Sequence, residues 1–109
     1  RQEGLSSLLS VPLKARKKTI GVININKAQP GSFSAEDIKL LRTFADLCAI
    51  AIENARLYEK MNRPDLEREQ WQTAAAVVNF TADDLEDEEL RTTFINAKPV
   101  QEILENARL

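Results

Sequence analysis

The stretch from Ser34 to about Met61 constrains the fold more than any other part of the chain. Its apolar residues recur at helical spacing along two stripes at once. Ile38, Leu41, Ala45, Cys48, Ile52 and Ala55 fall at alternating steps of three and four, a heptad seam. Leu40, Phe44, Leu47, Ala51 and Tyr58 mark a neighbouring stripe at similar spacing. A surface helix needs only one such stripe, and each large aliphatic left in water forgoes about 1.5–3 kcal/mol of burial. The helix is therefore expected to have two neighbours: a sheet on one side, and a second helix or a second subunit on the other. Ser34 can cap it, with Asp37 three residues on, and Phe33 is placed to fold back on the first turn as a hydrophobic staple. Arg63-Pro64 ends or kinks it.

The sheet is supplied upstream. Leu9, Val11 and Leu13 alternate onto one face of a strand, in which Pro12 is confined to an edge, an end or a bulge. Arg16-Lys17 makes a short basic turn. Thr19 to Asn26 is β-rich and apolar on both faces, with Ile20 and Val22 on one and Ile23 and Ile25 on the other. That pattern predicts a strand covered on both sides and paired antiparallel with its predecessor. A lone hairpin is marginal in water, so it needs the helix or more sheet.

Downstream the pattern is all-helical. Leu66 to Val78 carries Leu66, Trp71, Ala74, Ala75, Val77 and Val78, with Pro64 near its start. Thr81 to Asp84 is placed to cap a further helix presenting Leu90, Phe94 and Ile95, and Pro99 suits the first turn of a last helix with Val100, Ile103, Leu104 and Ala107. The expected class is α+β: an antiparallel β-hairpin packed on a long helix, then a helical tail. The charge divides at the same place. Residues 1–60 hold ten Lys/Arg against six Asp/Glu, whereas residues 61–109 hold five against eleven. Two units are expected, 1–61 and 62–109. The chain opens on Arg1, as a piece of a longer protein would.

The chemistry available is narrow. There is no histidine and one cysteine, Cys48, among 109 residues. This removes Ser-His and Cys-His nucleophiles and the usual transition-metal sites, and a single thiol fits a reducing, cytoplasmic setting. Cys48 lies on the apolar seam without a neighbouring cation, the setting of an inert core thiol rather than a redox one. The acidic run Asp83 to Glu89 lacks the Gly and the alternating ligands of a calcium loop, and reads as a solvated helix start. Arg16-Lys17-Lys18 reads as a solvated turn. A net charge of −2 gives no reason to expect a nucleic acid or membrane partner, and no cofactor or catalytic group can be nominated.

Four phrases in order carry a resemblance: Ser7 to Leu13, Ile20 to Asn26, Phe33 to Asp37, and Ala45 to Glu59. Over roughly residues 4–60 the chain resembles the C-terminal part of a GAF domain, the small-molecule sensor module of phosphodiesterases, cyclases, histidine kinases and bacterial transcription activators. Asn26, Lys27, Phe33 and Asp37 match a motif found in a subset of the family, although Ile38 stands where that motif has a second acid. The resemblance implies that Lys27 and Asp37 pair to pin the strand end to the helix start, a structural role. It also implies a regulatory, non-catalytic domain, bacterial in several of its settings, that dimerises through residues 38–58 with Ile38, Leu41, Ala45, Cys48, Ile52 and Ala55 as the interface. Since most of the family's pocket lies in segments not matched here, a small-molecule ligand is expected only for the full-length domain. A rival reading gives the function to residues 62–109 as a helical interaction module acting through Trp71, Val78, Leu90 and Phe94. Within one chain, the tail could instead cover the second stripe itself.

Overall fold

The computed structural model describes residues 7–27 and 33–108, with the side chains of Ser7 and Lys27 outside the description. The elements run β1 (Ser7–Ala15), β2 (Lys18–Lys27), α1 (Ala35–Lys60), α2 (Pro64–Asp84), α3 (Glu88–Ile95) and α4 (Lys98–Ala107). β1 and β2 form an antiparallel hairpin with Leu9 opposite Ile25 and Val11 opposite Ile23. The register breaks after Leu13, where Ile20 is the extra residue of a bulge. Arg16 and Lys17 sit at the tip with φ of 52° and 67°. Two successive left-handed residues are what a two-residue turn requires if it is to match the twist of the flanking strands.

One face of the hairpin, with Val11, Leu13, Ala15, Ile23 and Ile25, is buried. The other face is not. Val22 is 43% exposed, and Ser10 Oγ donates to Asn24 Oδ1 at 2.7 Å across it. The expectation of a strand covered on both sides is corrected accordingly: among the described residues no layer lies over the outer face. The Ile23/Ile25 face is filled by α1 together with the tail.

α1 begins where the sequence indicated. Ser34 Oγ accepts the Asp37 N–H at 3.0 Å, an N-cap bond that satisfies one of the four orphan donors of a helix start. At its end Asn62 adopts φ 59°, and Arg63 N–H reaches back to the Tyr58 carbonyl at 2.9 Å. This closes the helix as a left-handed cap does, and Pro64 then occupies the first turn of α2. The resulting α1–α2 hairpin is held by small side chains. Ala51, Ala55 and Cys48 of α1 and Ala74 of α2 are all buried, and the Cys48 thiol lies 3.7 Å from the Ala74 carbonyl.

The tail differs from the sequence reading at one junction. Thr81 does not cap a new helix. It lies buried inside α2, with its hydroxyl donating to the Val77 carbonyl at 2.7 Å, the i−4 bond that lets a hydroxyl stay in a helix. The cap of α3 is Asp87, whose Oδ1 accepts from Glu89 and Leu90 N–H at 2.9 and 3.2 Å. Arg91 then folds back on the end of α2. Its Nε donates to the Ala82 carbonyl at 2.7 Å, and Nη2 bonds the Leu85 carbonyl. A guanidinium at a helix C-terminus satisfies unpaired carbonyls and complements the dipole. α3 and α4 close the core, with Phe94 meeting Phe44 edge to face at 4.9 Å and 85°. Leu90, Val100 and Ile103 are fully buried beside them.

Two outcomes follow for the core. Phe94→Ala removes a fully buried ring and its edge-to-face partner, so urea denaturation is expected to show a loss of about 3–5 kcal/mol; a loss below about 1 kcal/mol would mean the tail is not part of the cooperative core. Burial pushes the Cys48 thiol from 9.0 up to about 12. With a raised folded-state pKa, the stability this group contributes is whole below about pH 9 and is lost as pH rises toward 12. Relative to Cys48→Ala, the parent chain should lose about 1.4 kcal/mol per pH unit above that point. Equal slopes for the two chains in urea titrations run from about pH 8 to about pH 10.5 would refute the assignment.

Candidate functional site

Every residue of the heptad seam except Ile38 is spent inside the chain. Leu41, Ala45, Cys48, Ile52 and Ala55 are no more than 2% exposed, and Ile38 is half-buried. Ala45 borders the hairpin near Val11, and Ile52 near Leu13. Of the second stripe, Phe44 and Ala51 are buried, Leu40 and Tyr58 are half-buried, and Leu47 stands in solvent. The tail therefore covers part of that stripe within one chain. Trp71, Val78, Leu90 and Phe94, the residues that a helical interaction module would have presented, are buried as well. Trp71 keeps its indole N–H on Glu67 Oε2 at 3.1 Å.

The motif residues are distributed along one corner of the fold. Asn26 is exposed at the end of β2, Phe33 packs on the core, and the Lys27 side chain lies outside the described residues, so the expected Lys27–Asp37 pair is outside them too. Asp37 is 2% exposed, and its Oδ1 accepts the Glu86 N–H at 3.2 Å. This carboxylate thus ties the start of α1 to the link between α2 and α3, a structural use of a buried acid.

What α1 and its C-cap leave largely in water is a third stripe, which overlaps the second at Leu40 and Leu47. Leu40, Thr43, Leu47, Ile50, Asn54, Leu57 and Met61 again alternate steps of three and four. Leu47, Ile50, Leu57 and Met61 are 52%, 54%, 39% and 60% exposed. Phe80 of α2, at 64%, flanks it across a shallow apolar groove of about 200 Å³ that also holds Leu40, Phe44 and Val77. Large apolar groups exposed together on a soluble chain mark an interaction surface more often than chance. The spacing was available in the sequence, but Thr43 and Asn54 interrupt its apolar character and Leu40 and Leu47 also belong to the second stripe; the burial of the seam with Phe44 and Ala51 is what isolates it. A second cleft of about 280 Å³ lies between β2 and α4, crossed by Arg56 and Glu102 at 3.3 Å. Both clefts are open and fall below the roughly 300–1,000 Å³ of sites that enclose a drug-sized ligand.

The acidic run resolves into separate parts: Asp83 and Asp84 end α2, whereas Asp87 caps α3. Among the described residues no group of His, Cys, Asp or Glu could hold a metal ion, and no helix is long and apolar enough to cross a membrane. Arg16, at the hairpin tip, places Nη2 3.4 Å from Asn54 Oδ1 and Nη1 3.9 Å from Glu53, which sets the tip against the third stripe.

Comparison with known proteins places these elements. Residues 1–53 match the GAF domain model. The chain is 32% identical over 59 residues to a formate hydrogenlyase transcriptional activator of Salmonella typhimurium, a stretch covering 54% of this chain and 8% of that protein. It is 30% identical over 59 residues to a probable 3',5'-cyclic phosphodiesterase of Caenorhabditis elegans, with the same shares covered. The match thus spans less than a tenth of the length of these relatives. No solved structure matches the chain. Through its hairpin and most of α1, this chain is thus similar to the GAF domain family.

Proposed function

We propose that this chain is a non-catalytic regulatory module that acts by association, with α1 as the element that meets a second subunit. The observation that carries the reading is the exposed apolar stripe Leu47, Ile50, Leu57 and Met61 along a helix whose heptad seam is already buried. The match to the GAF domain model supports a signalling role, and the named relatives are a transcriptional activator and a phosphodiesterase, both proteins in which such a module would accompany an output function. The seam first expected at the interface holds the chain together instead, so the association surface lies one stripe further round the helix. Small-molecule capture is assigned to the full-length domain and not to this chain, whose clefts are open and have few convergent polar groups. A single buried thiol is consistent with a cytoplasmic setting. The contribution of residues 62–109 is to complete the core beneath α1 and to add Phe80 at the edge of the surface.

Sedimentation at micromolar concentration is expected to give a dimer. Leu47→Lys with Ile50→Lys should weaken it about a hundredfold or more, since two side chains each worth about 1.5–3 kcal/mol on burial are lost, while the helical circular dichroism is kept. A parent chain that stays monomeric, or a double variant that dimerises as well as the parent, would overturn the proposal.

A further inference from the structure

The association reading places the Phe80 groove only at the edge of its surface. Leu40, which lines the groove, stands about 25 Å along α1 from Leu57 at 1.5 Å per residue. The walls are Leu40, Phe44 and Leu47 of α1 with Val77 and Phe80 of α2, and the Phe80 ring is 64% exposed. The Thr81 hydroxyl at the same place already donates to the Val77 carbonyl, so the floor is apolar. An extended strand laid on such walls would leave backbone N–H and C=O groups without partners. A helix satisfies its own and needs only apolar side chains along one face.

The rim selects among helices by charge. At the Phe80 end the groove runs on into a hollow lined by Glu36, Lys39, Leu40, Thr43 and Asp84. Asp83 is exposed beside Asp84, so three carboxylates stand against one ammonium. α2 ends here with no basic residue in its last turn, and a helix C-terminus carries the negative end of the dipole. From Glu36 to Leu47 the groove follows α1 for about 16 Å, roughly three turns of a partner helix. Anionic lipid and nucleic acid are repelled by these carboxylates. The middle of α1 in a second copy would bring Asp46 and Glu53, which flank Leu47 and Ile50, against acids of the same sign.

We propose that the groove between α1 and α2 takes a basic amphipathic helix of a different protein. That helix seats a leucine or aromatic side chain against Phe80 and sets Lys or Arg, one turn away, toward Glu36 and Asp84. The test titrates the full chain onto a fluorescein-labelled helix of leucine and lysine, about 18 residues or roughly five turns long, with a leucine–glutamate helix of the same pattern as control. The lysine helix is expected to bind about tenfold or more tightly than the control, and raised salt is expected to narrow the gap. Phe80→Ser should weaken the lysine helix about tenfold or more, and Glu36→Lys with Asp84→Lys should reverse the preference between the two. All three positions are exposed, so each variant is expected to keep the parent's helical circular dichroism. Equal binding of both helices, an affinity unchanged by Phe80→Ser, or a preference that survives the charge reversal would overturn the proposal. If Phe80→Ser abolishes self-association of the chain and neither helix competes with it, the groove belongs to a second copy and the proposal falls.

Discussion

The structure depends on one helix having to bury two of its sides at once. α1 offers Leu41, Ala45 and Ile52 toward the hairpin region and Phe44, Cys48 and Ala51 toward the tail, and neither neighbour is self-sufficient. A two-stranded sheet is marginal alone, and the short helices α3 and α4 are below the length at which isolated helices persist. Each becomes stable by packing on α1, and α1 in turn would expose two apolar stripes without them. Asp37 joins the ends of this arrangement, because its carboxylate, at the first turn of α1, reaches the link that follows α2.

Much of this was legible in the residues themselves. The alternation of Leu9, Val11 and Leu13, the cap at Ser34 and the break at Pro64 are local signals with local causes, and each lies where it was expected. The errors lie where a local signal has two solutions. Thr81 followed by acids resembles a helix start, yet the same hydroxyl can bond its i−4 carbonyl and let α2 run on to Asp84. The choice is made by the buried contacts of Thr81, which no short window contains. Val22 looked covered because β-branched residues are written alike on both faces of a strand; which face is covered depends on layers elsewhere. The exposed stripe was hardest to read, since its periodicity equals that of the buried seam, and only burial separates them.

In the proposed reading, function and stability share one element and few residues. The inner stripes of α1 make the fold, and the outer one remains free for another use. Arg16 connects the two: it stands at the hairpin tip, on the strand pair matched by the family, and lies against Asn54 and Glu53 on the outer part of the helix.

The lone thiol lies where α1 and α2 meet. Cys48 Sγ lies 3.7 Å from the Ala74 carbonyl, and both residues are buried where α1 meets α2. Protonated and enclosed there, it is shielded from electrophiles for as long as the two helices stay together. A chain with one such group carries an internal clock: when modification outpaces reclosing, the rate at which its thiol reacts is the rate at which the helix pair parts, and a partner bound to α1 would slow it.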